Sequence, residues 1–256
     1  LKSKKVLDQI KDQLRQLERD RSIRILLAVE SGSRAWGFPS PDSDYDVRIL
    51  YVHEQEWYLR INERKDTIDY FHGELLDISG WDMRKALRLL AKSNATPAEW
   101  SQSPIVYQEV SGFREELLGL VHDYFQPAAT LNHYRGIAHN SIKALSAEGQ
   151  IKLKKLFYVL RPDLAAKWIV EQGSVPPMTI QALMEPMEEQ GIREQIRELI
   201  ELKAQRDEDY LHPLSTSLKA YLEEQFSFLA AVQLPATKAP ELDQLNTYFR
   251  SLINNH

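Results

Sequence analysis

The chain has 256 residues, 43% of them apolar and 27% charged, with a formal net charge of −5. That length supports one large domain or two smaller ones with separate cores, and the acidic balance argues against a protein that grips long nucleic acid by charge alone, while leaving room for a short RNA end. The absence of cysteine excludes disulfides and thiolate metal sites and suits a cytoplasmic protein; no run reaches the roughly 18 apolar residues of a membrane span, and Leu1-Lys2-Ser3-Lys4-Lys5 leads into a charged helix, not the apolar core of a secretion signal.

Leu7, Ile10, Leu14 and Leu17 recur at helical spacing and predict an amphipathic helix over 4–20. Ile23 to Val29 is an unbroken β-rich run, the first strand. Gly32 and Ser33 end it, and Ser33 to Trp36 opens a short helix. Phe38 to Ser43 holds two prolines, two serines and an aspartate and reads as a loop. Tyr45 to Val52 is a second strand, with Asp46, Arg48 and Leu50 on one face and Val47, Ile49 and Tyr51 on the other. Thr67–Phe71 and Leu75–Ser79 flank His72-Gly73-Glu74 as a hairpin, and Trp81 to Lys92 is helical. Beyond about residue 110 only helical periodicity is visible: 113–124, 131–146, 150–170, 179–184, 188–205, 213–231 and, after a loop over 233–240, 241–253. The expected class is α+β. A catalytic domain with a small mixed sheet spans 1–110, and an all-helical nucleotide- or substrate-binding domain spans 111–256.

The chemistry concentrates in Val29-Glu30-Ser31-Gly32-Ser33-Arg34-Ala35-Trp36-Gly37 and Ser43-Asp44-Tyr45-Asp46-Val47-Arg48. Asp44 and Asp46 alternate with Tyr45 and Val47, so a strand points both carboxylates to one face. Crowded carboxylates repel unless a cation joins them. Mg²⁺ commonly takes one or two carboxylates together with substrate phosphates. A small turn at Gly32-Ser33 lets backbone N–H groups approach a phosphate. These pieces read as a site for a metal-bound nucleoside triphosphate.

Gly-Ser, a spacer of about ten residues and Asp-x-Asp resemble the signature of the DNA polymerase β-like nucleotidyltransferase superfamily. The longer strings resemble one branch of it, the predicted nucleotidyltransferases found beside RNA ligases in RNA-repair gene clusters. Asp77-Ile78-Ser79-Gly80-Trp81-Asp82, Glu99-Trp100, Ser103-Pro104-Ile105-Val106-Tyr107 and Lys154-Lys155 through Arg161-Pro162 extend the likeness over most of the chain. The resemblance implies a polymerase β-like fold and an enzyme that transfers a nucleoside monophosphate from an NTP, ATP favoured, to a hydroxyl. It implies Mg²⁺ or Mn²⁺ on Asp44, Asp46 and a third carboxylate, with an RNA end as acceptor and a functional link to an RNA ligase. Transfer to a protein or small molecule, or NTP binding without turnover, are the alternatives. Asp77 is the expected third carboxylate and Asp69 its alternative.

Nucleotide-binding positions follow from the same motifs. Gly32 and Ser33 are expected to cradle the β/γ-phosphates, and Arg34 either adds charge there or faces solvent. In 151–165 the geometry separates an apolar stripe of Leu153, Leu156, Phe157, Leu160 and Leu164 from an adjacent face of Lys154, Tyr158 and Arg161. That positive, aromatic face suits phosphates and base stacking, while Lys155 points to solvent. His133 and His139, six residues apart, do not make a metal site; Arg135 and His139 resemble the Arg–His pairs of helical ribonucleases but fall one residue short of that spacing; and Trp81, Trp100 and Trp168 are expected in the core.

Overall fold

The computed structural model describes residues 2–71, 75–142, 150–235 and 240–254. The elements run α1 (Lys2–Arg21), β1 (Ile23–Glu30), α2 (Gly32–Trp36), β2 (Tyr45–His53), α3 (Gln55–Tyr58), β3 (Thr67–Phe71), β4 (Leu76–Asp82), α4 (Met83–Leu90), α5 (Ala95–Gln102), β5 (Val106–Glu109) and α6 (Phe113–Asp123). They continue as α7 (Pro127–Ile142), β6 (Gln150–Lys152), α8 (Leu153–Gln172), α9 (Ile180–Leu183), α10 (Gln190–Lys203), β7 (Leu211–Pro213), α11 (Thr216–Ala231) and α12 (Asp243–Asn254). Among the described residues no helix is long and apolar enough to cross a membrane.

The chain forms two compact units that are interleaved in sequence. One comprises 1–31, 44–124 and 239–256; the other comprises 32–43 and 125–238. These limits differ from a cut at residue 110: α6 and α12 fall with the sheet, and the segment holding α2 falls with the later helices.

The first unit is built on a five-stranded mixed sheet in the order β3-β4-β2-β1-β5. β2 and β4 run parallel, and every other pair is antiparallel. The alternation expected in β2 is present. Val47, Ile49 and Tyr51 join Ile25, Ile68, Leu76 and Ile78 in a core covered by Ile10, Leu14 and Leu17 of α1. Each of those three helix side chains contributes about 1.5–3 kcal/mol by leaving water. Leu7, at the end of the same stripe, is exposed. The opposite face of β2 is left to carry Asp46 and Arg48. β3 and β4 pair as the expected hairpin; its turn at His72-Gly73-Glu74 lies outside the described residues. Gly80 packs so closely on β2 that a Cβ there would stand 2.1 Å from Ile49 Cγ1. β4 runs on to Asp82, whose carboxylate caps α4 by accepting from the Arg84 N–H at 2.9 Å, so this helix starts two residues later than its apolar pattern suggests. β5, an edge strand of four residues, was too short to show a period of two.

The second unit is mainly helical, with one addition to the expected all-helical pattern. β6 and β7 form a two-stranded antiparallel ribbon with Ile151 opposite His212. Three-residue strands carry no periodic signal. In α8 the predicted stripe is buried, and Phe157 stacks on Phe38 with ring centroids 4.6 Å apart. Burial is wider than one stripe, however: Val159 through Ala166 are all buried, Pro162 included.

Candidate active site

In the sheet unit the parallel register of β2 on β4 makes Asp46 and Asp77 direct partners. Partners across parallel strands point to the same face, so the two carboxylates stand side by side. Arg48, two residues along the same face, fills the space between them. Its Nη2 donates to Asp46 Oδ1 at 2.8 Å and to Asp77 Oδ2 at 3.0 Å. Its Nη1 donates to the Val47 carbonyl at 3.1 Å. A single guanidinium nitrogen thus sits where two carboxylates converge.

That convergence is a fit test for a metal. Two hard oxygen donors aimed at one point match the preferences of a divalent cation, and a cationic group stands at that point. Among the described residues no cluster of three or more His, Cys, Asp or Glu side chains is close enough to hold a metal. The structure therefore brings together Asp46 and Asp77. Asp44, just before β2, is exposed.

Asp69 is placed differently. Its register partner across the hairpin is Ser79, whereas the partner of Asp77 is Phe71, so the two aspartates do not face each other directly. Asp69 is exposed and accepts from Lys65 Nζ at 2.6 Å. That hydrogen bond and charge hold its carboxyl below the usual range.

One buried carboxylate escaped the sequence reading. Glu30, at the end of β1, is fully buried. It accepts from the Asp46 backbone N–H at 2.8 Å and from the Tyr107 hydroxyl. Ser103 Oγ donates to the Glu30 carbonyl at 2.7 Å, and the Ser31 N–H donates to the Asp46 carbonyl at 2.8 Å. Glu30 thus fixes the backbone that carries Asp46. The only sequence signal for it was an acid at the end of an otherwise apolar strand, next to the glycine-serine turn.

In the second unit Gly32 opens α2 with a left-handed φ of 61°. Ser33 is buried, and its Oγ donates to Ser43 Oγ at 3.1 Å. Arg34 Nη2 donates to the Ser43 carbonyl at 2.6 Å. Ser43 also accepts from the Ser40 N–H at 2.9 Å and donates to Glu208 Oε1 at 3.1 Å. Lys154 pairs with the other Glu208 oxygen. Lys203, buried, donates to Ser40 Oγ at 2.6 Å, and burial holds its ammonium below the usual lysine range. Ser33, Arg34 and Lys154 therefore belong to one polar network, joined through Ser43 and Glu208, and Gly32 sits beside it at the start of α2.

Tyr158 and Arg161 meet elsewhere in that unit, on Trp36. Tyr158 stands edge-on to the indole at 5.5 Å, and the Arg161 guanidinium lies 4.6 Å from its centroid. Arg161 is 4% exposed and donates from Nε to the Met178 carbonyl at 3.0 Å. It is a buried cation beside an aromatic ring, not part of an open face, because α8 is packed on more sides than its leucine stripe indicates. Trp100 is buried, as expected, and packs at a tilt against Trp81.

The model of the RNA repair pathway DNA polymerase beta family matches residues 6–251. The chain is 41% identical over 246 residues to the uncharacterized protein YcgL of Bacillus subtilis (strain 168), covering 95% of this chain and 94% of that protein. It is also similar to the crystal structure of a nucleotidyltransferase-like protein from Exiguobacterium sibiricum 255-15, at 12% identity over 96% of this chain and 90% of that one. The TM-score there is 0.33, a likeness too slight to argue from. A mixed sheet carrying paired aspartates after a glycine-serine turn, and a family match over nearly the whole chain, lead to one conclusion: the protein belongs to the RNA repair pathway DNA polymerase beta family.

Proposed function

We propose that this chain moves a nucleoside monophosphate from an NTP, ATP favoured, to a hydroxyl at an RNA end. The acceptor oxygen forms a bond to the α-phosphorus as the bond to pyrophosphate breaks. The observation that carries this reading is the pairing of Asp46 with Asp77 around one cationic nitrogen. Asp44, Asp46 and Asp77 are the residues that would hold Mg²⁺ or Mn²⁺. Such an ion, when bound, stabilises charge on the entering and leaving oxygens.

The remaining roles belong to the chain itself. Asp77, at the edge of the carboxylate pair, accepts the proton of the attacking hydroxyl. Backbone N–H groups at Gly32-Ser33 and the Ser33 hydroxyl hold the triphosphate, and Arg34 and Lys154 add positive charge. Tyr158 and Trp36, both half-buried, hold the base, and Arg161 backs the indole from inside the helical unit. Glu30 positions Asp46. The functional partner of such a protein is an RNA ligase acting on the same ends.

A second reading is favoured by one observation. Arg48 already neutralises Asp46 and Asp77, as a protein that binds NTP without turning it over would need. The experiment is transfer of label from each α-labelled NTP, with Mg²⁺ or Mn²⁺, to a mixed pool of RNA, protein and small molecules. Label on RNA, lost in Asp44→Asn/Asp46→Asn, supports the proposal. Label on protein or a small molecule moves the acceptor class. NTP binding with no transfer to any acceptor supports the second reading.

A further inference from the structure

We infer that the sheet unit has a separate binding site for single-stranded RNA, at the end of β2 away from Asp46. A cavity of about 730 Å³ lies there, lined by Arg21 and Ser22 at the end of α1, by residues of β2 and α3, by the 59–66 segment and by the start of β3. It begins where β2 ends, at His53. Seven residues of strand separate His53 from Asp46, about 23 Å at ~3.3 Å per residue. The site is therefore distinct from the paired carboxylates.

Its chemistry is unlike that of the chain as a whole. Arg21, Arg60, Arg64 and Lys65 line it against two acids, Glu54 and Glu56, in a protein whose net charge is −5. Lys65 is paired with Asp69. Arg21, Arg60 and Arg64 form no ion pair with any described residue. Three guanidiniums without carboxylate partners around one cavity call for an anion, and guanidinium geometry suits phosphate.

The walls add a ring-binding feature. Trp57 lies flat on His53, with centroids 4.0 Å apart and planes 6° apart, a rigid aromatic pair beside the arginines. Tyr51, another wall residue, is fully buried, and its hydroxyl has no hydrogen-bond partner among the described residues. Burial, with Asp82 next in effect, pushes that phenol far above its ordinary range, so it stays a donor in need of an acceptor. A phosphate for the arginines, a flat ring for Trp57 and an acceptor for Tyr51 describe one nucleotide unit with its base unpaired. Unpaired bases on aromatic rings, beside a basic track for the backbone, are how proteins hold single strands. The inference rests on the RNA side of the proposed function and names where the strand is held.

The test is fluorescence anisotropy of a labelled single-stranded 12-nucleotide RNA with the full chain, in EDTA and without NTP. Failure of nucleotidyl transfer therefore leaves the reading intact. The charge reversal Arg60→Glu/Arg64→Glu alters two exposed side chains, and an unchanged circular-dichroism melting curve verifies its fold. The native protein is expected to bind, more weakly as salt rises, and the variant to bind at least ~10-fold more weakly at equal salt. Trp57→Leu is expected to weaken binding while leaving the salt slope unchanged. AMP and a duplex of the same sequence are expected to compete poorly. No binding by the native protein, a variant within about twofold of native, or full displacement by AMP at the RNA's own concentration would overturn the inference.

Discussion

Replacing Arg48 with methionine tests the carboxylate pair most informatively. The substitution keeps most of the side-chain volume and removes the one nitrogen shared by Asp46 and Asp77. The Arg48 and Asp46 side chains are 18% and 29% exposed, so their 2.8 Å contact is worth the full charge-assisted value of about 1.5–3 kcal/mol. Asp77 is 42% exposed, so solvent screening reduces its 3.0 Å contact to about 1 kcal/mol or less. Two carboxylates then face each other with no cation, which adds to the loss. The expected destabilisation is about 2–4 kcal/mol, or a fall in Tm of about 5–10 °C for a chain of this length. On the proposed assignment the variant offers a divalent ion two unopposed carboxylates. Mn²⁺ at 100 times its Kd returns about 2.7 kcal/mol, so Mn²⁺ is expected to raise the variant's Tm more than the native protein's. Scanning calorimetry in EDTA and in Mn²⁺ reads both effects. A variant that melts within about 1 °C of native in EDTA, or equal Mn²⁺ shifts in the two proteins, would refute the reasoning.

Three further outcomes are expected. Glu30→Ala strands the Asp46 N–H and the Tyr107 hydroxyl inside the protein; at about 1–3 kcal/mol per unsatisfied group, a urea titration is expected to show a loss near 3 kcal/mol, with Glu30→Gln losing less. Gly80→Ala drives a Cβ against Ile49, 2.8 Å from its backbone oxygen as well as against its side chain, so β4 must move off β2. That variant is expected to lose about 3 kcal/mol, and an unchanged melting point would contradict the packing described. Asp163 on α8 is fully buried, its carboxylate oxygens lack a hydrogen-bond partner among the described residues, and burial pushes its pKa from 3.8 up to about 7. The unfolded chain therefore loses this proton first. Stability present below pH ~4 is lost as pH rises toward ~7, on the order of 4 kcal/mol. Asp163→Asn cannot ionise, so its stability relative to native is expected to grow between pH 4 and 7 and then level off. A difference that stays flat with pH would count against the burial.

What was legible in the sequence was local. The alternation in 45–52 predicted which residues of β2 face the core, and the leucine stripe of 153–164 predicted the buried side of α8. Both signals repeat within a few residues, so they survive without knowledge of neighbours. The partnership of Asp46 with Asp77 depends on a parallel pairing between strands separated in sequence by α3 and β3, and no local pattern encodes that register. Glu30 read as the polar end of a strand, because its burial depends on Tyr107 and Ser103, both far along the chain. Arg161 fell on a polar face of the helical wheel, yet the face is closed by Trp36 and Met178. The strands β5, β6 and β7 were missed for want of length. Ser43 and Glu208, which tie Ser33, Arg34 and Lys154 into one network, lie 165 residues apart and had no shared motif to connect them.

The central claim is that Asp46 and Asp77 serve one divalent ion while Asp69 does not. Electron paramagnetic resonance of Mn²⁺, titrated with a non-hydrolysable ATP analogue into the native protein and into Asp46→Asn, Asp77→Asn and Asp69→Asn, reads this directly. The account predicts that Asp46→Asn and Asp77→Asn each weaken Mn²⁺ binding by at least about tenfold, near 1.4 kcal/mol, and that Asp69→Asn binds like the native protein. Native-like binding by Asp77→Asn, or a loss confined to Asp69→Asn, would contradict it.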